Sequence, residues 1–167
     1  MLISFYICSA VAILATLLAI AGPSPMHSLL ELIVSLLAVG LIFFTLGAPF
    51  AGILEVIVYA GAIMVLFVFV VMMLNLGDET VQQERSWLKP SAWVAPAILA
   101  LILLAELMQL LLTRPEGTAF AGGKVVGATE VGMSLYGPYL LAVELGSMLL
   151  LAGLIAAFHL GRDPEGR

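Results

Sequence analysis

The sequence predicts an all-α integral membrane protein, a bundle of five transmembrane helices. Three observations carry that expectation. Hydrophobic residues make up 63% of the 167 positions and charged residues 10%, against about 45–50% and 25% in ordinary soluble domains. The apolar residues gather into five runs, each near the roughly 20 residues a helix needs to cross a bilayer core. Finally, the runs are divided by clusters of Gly, Pro and charged residues, and a run of that length in lipid must satisfy its own backbone hydrogen bonds, which selects helix.

The first span covers about 2–21. No Lys or Arg precedes its apolar region, and no small-residue cleavage site stands before Gly22-Pro23-Ser24-Pro25, so it is expected to remain as a span and not to be removed as a signal peptide. The second covers 27–47 and the third 50–75. Their connections, Gly22 to Met26 and Gly47-Ala48-Pro49, are short enough to make the first three spans antiparallel neighbours. A loop over 76–91 leads to the fourth span, 92–113. The loop 114–137 carries Gly117, Gly122, Gly123, Gly127, Gly132 and Gly137; it should be irregular, with a short surface helix around Ala128 to Leu135. The fifth span covers 138–160. The chain is expected to form a single membrane domain over 1–167.

Orientation follows from the basic residues. Arg85, Lys89, Arg162 and Arg167 fall on one side, Arg114 and Lys124 on the other. That bias places the 76–91 loop and the C-terminus in the cytoplasm and the N-terminus outside.

Several function classes drop out. A net charge of −5 with six scattered basic residues leaves no cluster to neutralise phosphates, so no nucleic-acid partner is expected. Cys8 is the single cysteine, which excludes an internal disulfide, a Cys-based zinc site and cysteine-ligated iron–sulfur clusters. His27 and His159 lie far apart in sequence, near span ends, and are not expected to bind metal. The chain has no phosphate-binding Gly loop, dinucleotide fingerprint or nucleophile–base set, so no catalytic centre or bound cofactor is expected in it.

The polar residues inside the spans are the pointers to function. A carboxylate near mid-bilayer opposes insertion by about 2.5–3.5 kcal/mol, and Glu55 is the one charged residue in the third run. Tyr59, four residues on, shares its helical face and offers a hydroxyl one turn deeper. Gly61 leaves a gap in the side-chain surface. Glu55 as one station of a proton path and Glu55 snorkelling to the outer interface are both open, and Tyr59 shifts the weight to the first. In the second span His27, Glu31, Ser35 and Ala38 share a face. His27 and Glu31 are expected to reach headgroup water, with Glu31 kept as a secondary proton-path candidate. Glu106, Gln109 and Thr113 are expected to do the same at the outer end of the fourth span. Glu144, about two turns into the fifth, is a second such candidate, buried or interfacial. Ala142 with Gly146 and Gly153 with Ala157 form small-residue pairs suited to close helix packing.

The block from Glu55 through Tyr59-Ala60-Gly61-Ala62-Ile63-Met64-Val65-Leu66-Phe67 to Asn75-Leu76 resembles the third-helix signature of the bacterial NADH-quinone oxidoreductase subunit J family, the counterpart of mitochondrial complex I subunit 6. Glu84-Arg85, Trp87-Leu88-Lys89-Pro90 and Leu135-Tyr136-Gly137-Pro138-Tyr139 through Glu144-Leu145 carry the likeness further, and it runs from about Phe5 to Arg162. The resemblance implies a non-redox, multi-pass subunit in the membrane arm of a proton-pumping enzyme of the bacterial inner membrane. Its neighbours would be the small membrane subunits of A and K type, the quinone-site subunit of H type and the antiporter-like subunit of N type, with FMN, iron–sulfur clusters and quinone held by other chains. It also implies a π-bulge near Tyr59 to Val65 that gates a hydrated proton path, so that Tyr59, Gly61, Val65 and Phe67 form the gate. The alternative is a structural scaffold subunit of the same complex, with no proton relay of its own.

Overall fold

The computed structural model describes residues 2–22, 25–74, 93–112 and 125–162. Every regular element among them is helical. Five helices are long and apolar enough to cross a membrane, as the run lengths predict. The loop at 76–91, with Arg85 and Lys89 in it, and Arg114, Lys124 and Arg167 lie outside the described residues.

Helix α1 spans Leu2–Ala21 and α2 Pro25–Thr45. Pro25 opens α2 at a position whose N–H would have no intrahelical acceptor in any case. Its end is set by Gly47, whose φ of 82° is open to glycine at little cost. The Ala48 N–H donates to Phe43 O at 2.9 Å and the Gly47 N–H to Phe44 O at 3.2 Å, the paired bonds that satisfy the last carbonyls of a helix closed by a left-handed glycine. Pro49 then starts α3 directly.

Helix α3 is composite. An α-helical turn, Pro49–Leu54, passes into a π-helical stretch, Glu55–Ile63, and returns to α-helix over Met64–Leu74. Helix α4 spans Val94–Leu112, α5 is the short helix Ala128–Leu135 and α6 spans Leu140–Gly161.

The chain forms two compact units, Met1–Val126 and Gly127–Arg167. In the first, α2 is the hub: it packs on α1, on all three sections of α3 and on α4, and α1 also touches α4. The core is a seam of Cys8, Val11 and Ala15 from α1, Val34, Ala38 and Leu41 from α2, and Leu99 and Leu103 from α4. Their spacings of three and four residues are those of one helical stripe. In the second unit α5 packs on α6, and the Gly127 N–H donates to the Glu130 carboxylate at 3.4 Å, tying off the start of α5.

Candidate functional site

The site is built on the hairpin that α2 and α3 make about Gly47. Gly40 and Gly52 stand seven residues before and five after that turn, and they meet where the two helices cross. A Cβ added to Gly52 would lie 2.7 Å from Gly40 O and 2.9 Å from the Phe44 ring; one added to Gly40 would lie 3.0 Å from a Val56 methyl and 3.9 Å from Glu55 Cβ. The backbones therefore touch, and the contact fixes the N-terminal section of α3. Glu55 is half-buried beside this crossing. Sequence reasoning passed over both glycines. Their signal was the presence of a glycine within two turns of Gly47 on either side.

At Glu55 the helix changes register. The Met64 N–H donates to Tyr59 O, a bond to the fifth residue back where an α-helix would use the fourth. The consequence shows in which residues are covered. In an unbroken α-helix, Tyr59 and Ile63 would each fall within about 20° of Gly52 around the axis, and they would share its buried stripe. Instead the buried residues after Gly52 are Ala60 and Met64, one position later in each case. Tyr59 is turned away and is 51% exposed. The expected bulge near Tyr59 to Val65 is thus present, but it begins at Glu55 and ends at Ile63. Val65 and Phe67 lie in the α-helical section beyond it, both exposed.

Gly61 sits inside the π stretch, and its nearest neighbour is the helix itself. A Cβ there would lie 3.1 Å from Val56 O, the carbonyl five residues back, which π geometry draws inward. Glycine relieves that crowding. An apolar groove of about 400 Å³ runs beside the stretch, lined by Leu37, Leu41, Phe44, Ile53, Val56 and Leu107 among others. With no polar side chain in its wall, it suits hydrocarbon and offers a proton no handhold.

Two expectations about acidic residues are corrected. Glu31 and Glu106 do not reach the surface: they are 5% and 6% exposed. The cause is packing. Glu31 lies on the α2 stripe with Val34, Ser35 and Ala38, and because α2 is the hub this stripe faces protein. Glu106 continues the Leu99–Leu103 stripe of α4 into the same seam. Between them, Ser35 Oγ and Thr16 Oγ1 lie 2.7 Å apart, each also within reach of Ala12 O, at 3.2 Å and 2.8 Å. His27 stacks edge-on to Trp93, ring centroids 6.5 Å apart. Glu144 is exposed on α6, where the Ser147 hydroxyl donates to its main-chain carbonyl at 2.7 Å. Among the described residues, a Cβ built on Gly146 or Gly153 meets nothing within 4 Å. Among the described residues no three of His, Cys, Asp and Glu gather as a metal site.

Comparison with known proteins gives a consistent result. The profile of the family described as NADH-ubiquinone/plastoquinone oxidoreductase chain 6 matches residues 15–160. The chain is 62% identical over 160 residues to NADH-quinone oxidoreductase subunit J of Pseudomonas aeruginosa, covering 96% of each. It is 58% identical over 161 residues to the subunit J of Escherichia coli K12, covering 96% of this chain and 86% of that one. With the subunit J of Buchnera aphidicola from Schizaphis graminum it shares 48% identity over 162 residues, 96% and 98% of the two chains.

Proposed function

Since the chain belongs to the family of NADH-ubiquinone/plastoquinone oxidoreductase chain 6, we propose that it is a membrane-arm subunit coupling quinone reduction in other subunits to proton translocation, with α3 as the gate. The observation that carries this reading is the one-residue register shift between Gly52 and Ala60. The N-terminal section of α3 is held by the Gly40–Gly52 contact, so a change from π to α geometry turns everything after it by about 100°. Tyr59 and Ile63 then take the covered positions of Ala60 and Met64.

The exchange has a chemical meaning. In the π form the Tyr59 phenol points away from the α2 side, and Ala60 contributes no polar group. In the α form the phenol returns to the face where Glu55 stands, and a hydroxyl lies one turn from the carboxyl. A proton route along that face is joined in one state and interrupted in the other. Val65 and Phe67 ride on the turning section and change what they present to neighbouring chains. The remaining groups of the route belong to adjacent chains: the small membrane subunits of A and K type, the quinone-site subunit of H type and the antiporter-like subunit of N type. FMN, iron–sulfur clusters and quinone are held elsewhere in the complex. The chain sits in the inner membrane with its N-terminus outside and its C-terminus cytoplasmic, and Glu144 is a further carboxyl of the proton path.

The test is proton pumping and NADH oxidation by membranes carrying Glu55→Gln or Tyr59→Phe. Reduced pumping in either supports the relay. Wild-type pumping and oxidation in both variants removes it and leaves the family assignment standing.

The tight crossing beside Glu55 favours a second reading, in which the chain is a scaffold and the carboxyl serves packing. Gly61→Val separates the two. A scaffold with bulk at this position fails to assemble, whereas a gate assembles and loses coupling.

A further inference from the structure

The seam between α1, α2 and α4 contains carboxyls that the α3 gate does not use. The Oε2 atoms of Glu31 and Glu106 are buried with no hydrogen-bond partner among the described residues. Both side chains are more than nine-tenths covered, and both occupy the stripe of their helix that faces the seam. Glu106 continues the α4 stripe of Leu99 and Leu103, which packs with Cys8 in the seam, and Glu31 stands one turn beyond His27 on α2. The covering atoms are supplied by this chain, so neither carboxyl is left bare for a partner subunit.

Their depths follow from the helix register. Thr16 opposite Ser35 makes α1 and α2 antiparallel, and His27 against Trp93 makes α2 and α4 run the same way. Glu31 is four residues beyond His27, and Glu106 is thirteen beyond Trp93. The carboxyls therefore stand about 13 Å apart along the helix axes at 1.5 Å per residue. The Thr16–Ser35 hydroxyl pair stands between them, about 6 Å from the level of Glu31 and about 8 Å from that of Glu106. A glutamate side chain and one bridging water span such intervals.

We propose that Glu31 and Glu106, linked through the Thr16–Ser35 hydroxyls, form a second proton-holding column inside α1, α2 and α4, separate from the Glu55 face of α3. The ligand is the proton, and water is its carrier. A carboxyl buried in an apolar seam is costlier to hold as the ion than as the neutral acid, which is also a donor in its own right. The hydroxyl pair suits relay. Two protons serve three contacts among Thr16, Ser35 and Ala12 O, so the donors can reverse direction without breaking the cluster.

The experiment uses the assembled complex in its membrane with Glu31→Gln, Glu106→Gln and both together. Infrared difference spectra between wild type and each variant are expected to lose the carbonyl stretch of a protonated acid. Protons pumped per NADH oxidised are expected to fall at least twofold in the double variant, with NADH oxidation retained. Loss of carboxylate bands in place of the acid band overturns the proposal, as does unchanged pumping in the double variant. Failure of the neutral, isosteric Gln variants to assemble also overturns it, because it means the native groups are needed as anions. None of these outcomes depends on Glu55, so the column and the α3 gate stand or fall separately.

Discussion

Gly40 and Gly52 bring two transmembrane helices into backbone contact, so close that a Cβ on Gly52 would stand 2.7 Å from the Gly40 carbonyl oxygen. The obstacle is main chain, which cannot swing aside, and Glu55 lies at the edge of the same contact. Gly52→Val is expected to cut the amount of this chain in the assembled complex severalfold, in line with the roughly 1–3 kcal/mol or more that overpacking costs. Gly146→Val, where none of the described residues comes within 4 Å of the added Cβ, serves as the comparison in the same quantitative immunoblot and should cost less.

That crossing also marks where sequence reasoning stops. The five helices were legible because lipid demands about 20 apolar residues per span, and the short helix Ala128–Leu135 because glycines bracket it. Which face of each helix turns inward was not. Polar spacing on α2 picked out Glu31 and Ser35 as sharing a stripe, but their burial depends on α2 lying between three neighbours, a fact of assembly and not of periodicity. The burial of Glu106 is hidden from the sequence for the same reason. In α3 the α-helical period sets Tyr59 one turn beyond Glu55 but gives no sign of the register change, because a single displaced residue leaves no trace in composition. Family resemblance alone pointed to the π geometry.

Gly61→Ala should bias α3 toward the straight form. The added methyl crowds Val56 O only while the π register holds, and alanine is favoured over glycine in a helix by about 1 kcal/mol. The expected result is a complex that assembles and oxidises NADH but pumps at least twofold fewer protons per turnover, read as proton uptake against NADH consumption in inverted vesicles.

The Thr16–Ser35 contact, with oxygens 2.7 Å apart, should contribute modestly to helix pairing. A double-mutant cycle with Thr16→Val and Ser35→Ala, followed by denaturant unfolding of the chain in micelles, is expected to give a coupling of about 0.6 kcal/mol and below about 1.7 kcal/mol. A value near zero would mean that the hydroxyls bond only to Ala12 O.

Cys8 is fully covered in the α1/α2/α4 seam. A maleimide should leave it unmodified in the intact complex and label it once dodecyl sulfate separates the helices, as mass spectrometry of the chain can establish. Labelling without detergent would place α1 elsewhere.

The π stretch also constrains how this gene can change in length. One surplus residue is taken up between Gly52 and Met64, so deleting a single codon within 56–62 would convert the stretch to α-helix while leaving both flanking sections facing as they do now. The deletion would erase the register shift and spare the packing on either side. Loss of one residue here should therefore be gentler on assembly than the substitution of a valine at Gly52, and a lineage could remove the π stretch in one mutational step.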